Sequence, residues 1–289
     1  MRPTRPRAPG LPGSPSPSVA LRSIAADRVT GAHGLAVETL GALAGVVESW
    51  SGDPPGKVRR NVRSVAGLLR KTQPAMGVFR RWAFEWSRIA SDTRDRDLVP
   101  SLTRWLRSSR ERSRREPGRL ARVARRWLPP RIRVLTLSRS DSVRCALLAP
   151  RSTQRPREVI VLESLPGGEG RTFARELRRA GLRARTVTDT EGRRLVGATD
   201  LVLIGADTVS SDGSVVHKVG TRPLALAARR AGVPVIVVAG RSKNAPDPHS
   251  ARRLPPRFDR TPARAIQEYW TDEGRVPSAK WSRHTARGR

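Results

Sequence analysis

Apolar residues recur every three to four positions through much of residues 19–128, and this spacing predicts a run of helices. The pattern is interrupted near Gly31 and again at 51–56, where SGDPPG indicates a turn. It resumes at Val58 and continues up to Gln73, which is followed by proline, a residue that ends helices. A further helical face follows that proline, so we expect 19–128 to form a helical domain.

Beyond residue 130 the apolar positions change to short β-branched runs that alternate with helical stretches. The predicted strands are 131–138, 158–164, 183–189, 200–207 and 233–240, and the predicted helices are 140–149, 170–180, 191–197 and 221–231. This alternation is typical of a parallel sheet with helices on both faces. The predicted fold class is therefore α/β, with an N-terminal helical domain and a C-terminal Rossmann-like parallel sheet domain over 131–276.

Two tryptophans and one arginine-rich segment bear on what the helical domain does. Trp82 and Trp86 lie four residues apart on an apolar stripe among arginines, a pattern that favours burial in a core over stacking on bases. The segment 101–133 carries twelve arginines and only two glutamates, together with apolar residues at helical spacing. It predicts a basic amphipathic helix or helix pair, and it is the strongest candidate for a polyanion-binding face.

The composition extends that charge to the whole chain. Its formal net charge is +32, and because only five of the 57 basic residues are lysine, 52 are arginine. Such a charge attracts RNA, DNA or anionic surfaces through a long-range, salt-sensitive field. Arginine also accompanies abundant alanine, glycine and proline in GC-rich coding sequences, so a solvated surface without a polyanion partner is the competing interpretation. We expect disordered or basic tails at 1–18, which is rich in proline and serine, and at 277–289.

Several classes of protein are excluded or disfavoured. A single cysteine, Cys145, excludes internal disulfides and multi-cysteine metal sites, and the four histidines show no ligand spacing, so we expect no metal and no cofactor. No apolar run approaches the roughly 20 residues that cross a bilayer. The first 18 residues lack the apolar core of a secretory signal. We expect a cytoplasmic protein without a membrane partner.

Polar residues follow the predicted strands, where parallel sheets bind their ligands. These strand ends carry Ser138, Glu163 and Ser164, Asp189, Asp207, and Arg241 with Ser242. Two segments, PGGEGRT at 166–172 and KVGTRP at 218–223, lead into helices whose free N–H groups suit a phosphate. Glycine-rich loops also serve as plain turns, so the residues alone indicate a small anionic-ligand site only in outline.

The same residues carry a resemblance. GADTVSSDGSVVHKVGT at 205–221 resembles the signature of the translation initiation factor 2B alpha/beta/delta family, which includes methylthioribose-1-phosphate isomerase and ribose-1,5-bisphosphate isomerase. VLTLSRSDSV at 134–143, VLESLPGGEGRTFARELRRAG at 161–181, DRVTGAHGLA at 27–36 and FDRTPARAIQEYWTDEG at 258–274 are similar to further family motifs in the same order. The resemblance covers nearly the whole chain after the first tail. It implies a helical domain, a Rossmann-like domain and a sugar-phosphate pocket between them.

Family roles follow from that resemblance. Asp207 falls at the position of the isomerases' acid/base, although an aspartate that caps the turn at 208–213 remains the structural alternative. The resemblance also places ligand-binding positions at Glu163, Gly170, His217, Lys218, Gly220 and Thr221.

Departures from the isomerase pattern argue against catalysis. Ser138 stands where the isomerases have their cysteine, and a hydroxyl exchanges protons near neutrality far less readily than a thiol. Cys145, seven residues on, is expected to be a buried small residue. Three arginines that would grip phosphate are replaced, by Thr30, Gln73 and Leu165.

Three hypotheses remain open at this point. The first is a noncatalytic initiation factor 2B-like regulatory module that binds a sugar phosphate or nucleotide and forms a homodimer, as the family implies. The second is an aldose–ketose isomerase of a ribose 1-phosphate derivative that uses Asp207 with Ser138 or water. The third is a protein that binds RNA or DNA through the arginine-rich face, with Arg122, Arg125 and Arg126 as its representatives.

Overall fold

The computed structural model describes residues 17–27, 31–245 and 254–286. Nearly all of the expected N-terminal tail, Thr30 and the last three residues lie outside this part of the chain. Within it there are ten α-helices and ten β-strands.

The first five helices form the predicted helical region. Their bounds are α1 (Pro17–Ala26), α2 (Ala32–Glu48), α3 (Pro55–Thr72), α4 (Gly77–Asp92) and α5 (Leu98–Trp127). The expected break at 51–56 separates α2 from α3, and Pro55 lies at the start of α3, where a proline costs no hydrogen bond. The region 101–133, expected to be a helix or a helix pair, belongs mostly to one 30-residue helix that contains Pro117.

The core of this region is apolar and aromatic. Trp82 and Trp86 are 6% and 0% exposed, which confirms that they pack in the core. Trp105 meets both rings edge-on, with centroids 5.8 and 5.7 Å away. Edge-to-face contacts of this kind add to the free energy gained by burying the rings.

The sheet domain begins after α5. Seven strands form one sheet in the order β10-β9-β7-β4-β1-β2-β3, all parallel except the last one along the chain, which pairs antiparallel with its neighbour. The strands are β1 (Arg133–Leu137), β2 (Glu158–Leu162), β3 (Ala184–Val187), β4 (Leu201–Ile204), β7 (Val235–Val238), β9 (Glu268–Thr271) and β10 (Gly274–Pro277). The first five are the strands that the apolar runs predict.

Helices cover both faces of this sheet, as expected. They are α6 (Asp141–Leu148), α7 (Glu169–Arg179), α8 (Asp189–Leu195), α9 (Thr221–Arg230) and α10 (Trp281–Ala286). The second half of α5 packs with α6 and α7 on one face, whereas α9 and α10 pack on the other. Because α5 contributes Leu102 and Leu106 to the helical core and Leu120 and Ala124 to the sheet core, one helix joins the two parts of the molecule.

A second, smaller sheet was not predicted. It consists of β5 (Thr208–Val209), β6 (Val215–Lys218) and β8 (Phe258–Thr261) in the antiparallel order β5-β6-β8. The segment 201–218 therefore forms a strand of the large sheet followed by a hairpin of the small one. This hairpin carries His217 and Lys218 back toward the end of β4.

The expected basic tail at 277–289 needs a correction. The described part of it, up to residue 286, is folded: β10 ends at Pro277 and α10 follows. Trp281 is 1% exposed, and its indole N–H donates to the carbonyl of Ser210 over 2.8 Å. The arginines that dominate this stretch concealed an apolar anchor, which holds the chain end against the sheet domain.

Candidate functional site

A cavity of about 360 Å³ lies between the helical region and the carboxyl ends of the strands. Strands β2 and β3 follow β1 on one side and β4 and β7 lie on its other side, so the order of the sheet reverses between β1 and β4. Ligands of open parallel sheets bind at such a reversal. Ser138 follows β1 and Asp207 follows β4, and both side chains line the cavity.

Asp207 lies where the two parts of the molecule meet. Its carbonyl accepts a hydrogen bond from the N–H of Gly77, at the start of α4, over 3.0 Å. Next to it, the Thr208 hydroxyl donates to the carbonyl of Ala75 over 2.8 Å. Burial raises the pKa of Asp207 to about 6, although the charges of Lys243 and Lys218 act in the opposite direction. The carboxyl group can therefore gain or lose a proton close to neutral pH.

Ser138 has a left-handed backbone, with φ of 59°. Its N–H donates to the Ser164 hydroxyl over 2.6 Å, which ties the end of β1 to the end of β2. Two residues later Ser140 caps α6 by accepting from the N–H of Val143. The turn thus places three serine side chains, at 138, 140 and 142, on the cavity wall.

His217 is buried and neutral. Burial, together with Lys218 and Lys243, lowers its pKa to about 3. Its Nδ1 lies 3.1 Å from the Thr221 hydroxyl, which itself donates to the carbonyl of Lys218 over 2.6 Å. Because that hydroxyl has its proton in the second bond, Nδ1 must carry the proton in the first, and Nε2 is left as an acceptor. A ligand hydroxyl is a suitable donor to it.

Glu169 bridges two cations at the cavity. Lys218 donates to its Oε1 over 2.9 Å, and Arg257 lies within 2.9 Å of the same oxygen. Lys218 also donates to the carbonyl of Pro166. The carboxylate therefore occupies a position between two cations that also suits a phosphoryl group.

Other cationic groups converge on the same space. Lys243 is 4% exposed and acts on Asp207, and Lys71, at the end of α3, lies on the wall. Neither lysine forms an ion pair with another residue of the described chain. The first residues of α2, Ala32 and His33, also line the cavity, and this helix has no acid in its first turn and no side-chain cap. Free N–H groups at a helix start favour an anion.

The structure brings together only part of the expected site. Asp207, Ser138, His217 and Lys218 line the cavity, whereas Glu163, Gly170, Gly220 and Thr221 do not.

Each of these four residues has another contact. Glu163 pairs with Arg171 at 2.5 Å, and Thr221 contacts His217 from behind. Gly170 packs against β2, where an added Cβ would lie 1.8 Å from the carbonyl oxygen of Leu162.

The expected phosphate position at the start of α9 is filled by a side chain. The Asp259 carboxylate accepts from the N–H groups of Gly220 and Arg222, over 2.8 and about 3.1 Å. Because an acid already caps this helix, the segment 218–223 serves the fold here and leaves the anion-binding role to the cavity.

Several cavity residues were missed by the sequence reasoning: Lys71, Arg139, Glu169, Lys243 and Arg257. Arg139 pairs with Asp141 and Glu176. Lys243 follows Arg241 and Ser242, which the strand-end argument does single out, so its position had a signal. Arg257 lies outside the predicted strands and had none.

The residues at replaced arginine positions have structural roles or face solvent. Gln73 donates to the carbonyls of Ile24 and Asp27, over 3.0 and 3.1 Å, and so holds the end of α1. Leu165 is 50% exposed. Cys145, expected to be buried, is half-buried, and burial raises the pKa of its thiol.

Other features bear on function class. Arg122, Arg125 and Arg126 are exposed on α5, and no residue of that helix lines the cavity. Among the described residues no group of acidic, histidine or cysteine side chains is arranged to hold a metal ion. None of the described helices combines the length and apolar character needed to cross a membrane.

Comparison with known proteins gives consistent matches. The profile of the initiation factor 2 subunit family matches residues 28–255. A ribose 1,5-bisphosphate isomerase of Haloterrigena turkmenica is 30% identical over 78% of this chain and 68% of its own length. A methylthioribose-1-phosphate isomerase of Gemmatimonas aurantiaca is 31% identical over 89% of this chain and 83% of its own length.

Two further matches define the extent of the similarity. A ribose 1,5-bisphosphate isomerase of Archaeoglobus fulgidus aligns over only 46% of its own length, so this chain spans about half of that relative. The structure of the tetrameric eIF2B-beta2-delta2 complex from C. thermophilum has a chain with a TM-score of 0.76 and 18% identity, covering 94% of both chains. At this identity the match shows the fold alone.

Proposed function

Because the chain belongs to the initiation factor 2 subunit family, we propose that it binds a small phosphorylated metabolite, a sugar phosphate or nucleotide, without isomerising it. The observation that carries the proposal is the cavity at the strand-order reversal, where Lys71, Lys218, Lys243 and Arg257 surround a space of about 360 Å³. Such a space fits a ligand of sugar-phosphate or nucleotide size.

The electrostatics of the wall support an anionic ligand. Lys71 and Lys243 have no acidic partner within the described chain, and the uncapped start of α2 adds partial positive charge. Lys218 and Arg257 share one carboxylate, that of Glu169, which a phosphoryl group can displace. His217 Nε2 and the serines at 138, 140 and 142 supply the polar groups that a sugar needs.

The absence of isomerisation rests on Ser138. The family resemblance places this residue where the isomerases have a cysteine. A serine hydroxyl holds its proton far more tightly than a thiol, whose reference pKa is about 8.5, so it is a poor acid/base near neutrality. Gln73 and Leu165 also supply no charge at positions where the family has arginines, and Gln73 is engaged with the end of α1.

One observation favours the alternative, an active aldose–ketose isomerase. A carboxyl group with a pKa of about 6, adjacent to two lysines in a closed cavity, is suited to proton transfer at neutral pH. Asp207 could then act with a water molecule in place of the thiol. Turnover that disappears in Asp207→Asn distinguishes this alternative from binding alone.

A regulatory role in translation initiation and a homodimer belong to the same proposal. The family includes initiation factor subunits, and the comparison structure is a tetrameric complex. A metabolite bound between the helical and sheet parts is placed to change how they fit together, and so to influence an assembly.

A thermal-shift experiment tests the binding proposal. We expect ribose phosphates or nucleotides at about 100-fold above their Kd to raise the Tm by about 5 °C. The Lys71→Gln variant should bind about fivefold more weakly, since one charge-assisted contact is lost. Lys57→Gln is the matched control, because Lys57 lies on the same helix and does not line the cavity. Equal loss in both variants, or no shift with any ligand, contradicts the proposal.

A further inference from the structure

The outer side of α5 carries a row of unpaired arginines, which we call the α5 arginine row. Its members are Arg104, Arg107, Arg119, Arg122, Arg125 and Arg126. All six side chains are exposed, and none forms an ion pair with another residue of the described chain. At 3.6 residues per turn they lie opposite the buried face of α5, over about 33 Å of helix.

Acidic groups do not balance this row. Helix α5 has two acids, Glu111 and Glu116. Glu111 already pairs with Arg114 and Arg115. Glu116 is 6% exposed and faces the sheet domain, where burial raises its pKa. The row therefore presents six positive charges without a nearby acid of its own helix to neutralise them.

The fold does not need these arginines. Helix α5 is held by apolar residues on its inner side, with Leu102, Leu106, Leu120 and Ala124 fully or nearly fully buried. By contrast, Arg59 on α3 makes structural contacts, to Asp95 and to the carbonyls of Ala90 and Thr93. Six like charges on one helix face repel each other, so an external polyanion would relieve an electrostatic cost.

An exposed aromatic ring lies at the end of the row. Trp127 is 43% exposed, whereas most of the other tryptophans are buried in the cores. The guanidinium groups of Arg126 and Arg275 lie over its ring, 5.2 and 4.2 Å from the centroid. Arg275 is neutralised by Glu268, but Arg126 is not. An aromatic ring beside unpaired arginines is the combination on which single-stranded nucleic acids stack a base and bind phosphates.

We propose that the α5 arginine row binds single-stranded nucleic acid through its phosphates, with one base stacked on Trp127. A membrane surface fits less well, because the apolar residues of α5 face the two protein cores and leave little to enter a lipid layer. The row is separate from the cavity, so this binding does not depend on the proposed metabolite site.

Fluorescence anisotropy with labelled oligouridine and oligothymidine of about 20 nucleotides tests the proposal and distinguishes RNA from DNA. We expect affinity to fall steeply between about 50 and 200 mM salt. In the triple variant Arg122→Gln, Arg125→Gln, Arg126→Gln, the slope of log K against log salt should decrease in magnitude by about 2.7, or 0.9 for each lost phosphate contact. At 0.15 M salt this corresponds to a loss of about 100-fold.

The matched control is Arg193→Gln, Arg194→Gln, Arg230→Gln, which removes three exposed charges from α8 and α9, away from the row. It should change the affinity by less than the α5 variant does by about tenfold or more. The nucleic acid should also quench tryptophan fluorescence in the parent protein and less in Trp127→Phe. Equal weakening by both triple variants would contradict the proposal. So would salt-independent binding, or binding to phosphatidylserine vesicles without binding to either oligonucleotide.

Discussion

At the scale of single residues, Glu169 sets how readily the cavity accepts an anion. Its carboxylate lies within 2.9 Å of both Lys218 and Arg257, the two cations best placed to hold a phosphoryl group. A ligand must displace this carboxylate and overcome its repulsion. We expect Glu169→Gln to bind phosphorylated ligands about tenfold more tightly, since the amide keeps the volume and removes the competing charge.

The control for this change lies in the same region of the chain. Glu163 also pairs with an arginine, Arg171, but does not line the cavity. Glu163→Gln should leave the Kd measured by calorimetry unchanged. If Glu169→Gln weakens binding, the carboxylate supports the ligand and does not compete with it.

The second residue-scale prediction concerns pH. The pKa of Asp207 is about 6 in the folded protein against an ordinary value of 3.8, so the folded state binds the proton more tightly than the unfolded state does. Stability that depends on this group is therefore greatest at low pH and is lost as the pH rises through 6. Asp207→Asn should be more stable than the parent at about pH 7.5, by up to about 3 kcal/mol.

Urea denaturation at several pH values measures that difference. The advantage of Asp207→Asn should shrink as the pH falls below 6. His217, whose pKa is lowered to about 3, acts with the opposite sign, since stability from a neutral buried histidine is lost as the pH falls below its ordinary value. Because both proteins contain His217, its effect cancels in the difference. An advantage that does not vary with pH would contradict the assignment.

The candidate site could be predicted in part from the residues. Asp207 and Ser138 were found because they end buried parallel strands, and strand ends converge on one edge. Arg257 and Lys71 could not be found in this way. They reach the cavity from the loop before β8 and from the end of α3, and their placement depends on how the helical region docks. Glu163 was misplaced because a strand-end residue can turn aside to a local partner, here Arg171.

At the scale of elements, the approach of α7 to β2 requires a residue without a side chain. An added Cβ at Gly170 would lie 1.8 Å from the backbone oxygen of Leu162, which cannot move without disturbing the strand. We expect Gly170→Ala to lower the free energy of unfolding by about 3 kcal/mol or more. Urea denaturation followed by circular dichroism measures the loss.

Gly118 is the matched control. It lies inside α5, and an added Cβ there meets nothing within 4 Å. Gly118→Ala should therefore raise stability by about 0.5–1 kcal/mol, the difference in helix propensity. Similar effects of the two substitutions would show that the close contact between Gly170 and β2 does not limit the packing.

The elements themselves were predictable to different degrees. The five strands of the parallel sheet are short runs of valine, leucine and isoleucine, buried on both faces, and such runs leave a strong pattern. The small sheet left none, because β5 has two residues and β8 reads FDRT, without continuous apolar character. The chain end was obscured for a related reason: one buried tryptophan, Trp281, anchors a helix whose other residues are polar or small.

At the scale of the whole molecule, we expect a homodimer. This prediction rests on the family, whose members pair through the C-terminal domain. Light scattering at micromolar concentration should give twice the mass of the 31.8 kDa chain. Because the strong positive charge would favour association with stray nucleic acid, the sample should first be treated with nuclease in high salt. A monomer mass would contradict the prediction.

The central claim is that the cavity binds a phosphorylated sugar without converting it. Phosphorus NMR of ribose 1,5-bisphosphate, and in parallel of methylthioribose 1-phosphate, tests both halves of this claim in one measurement. We expect the phosphate signals of at least one sugar to broaden or shift as protein is added, and no ketose product to accumulate. Product formation that disappears in Asp207→Asn would contradict the claim and establish an isomerase, whereas unchanged signals for both sugars and no product would count against their binding in this cavity.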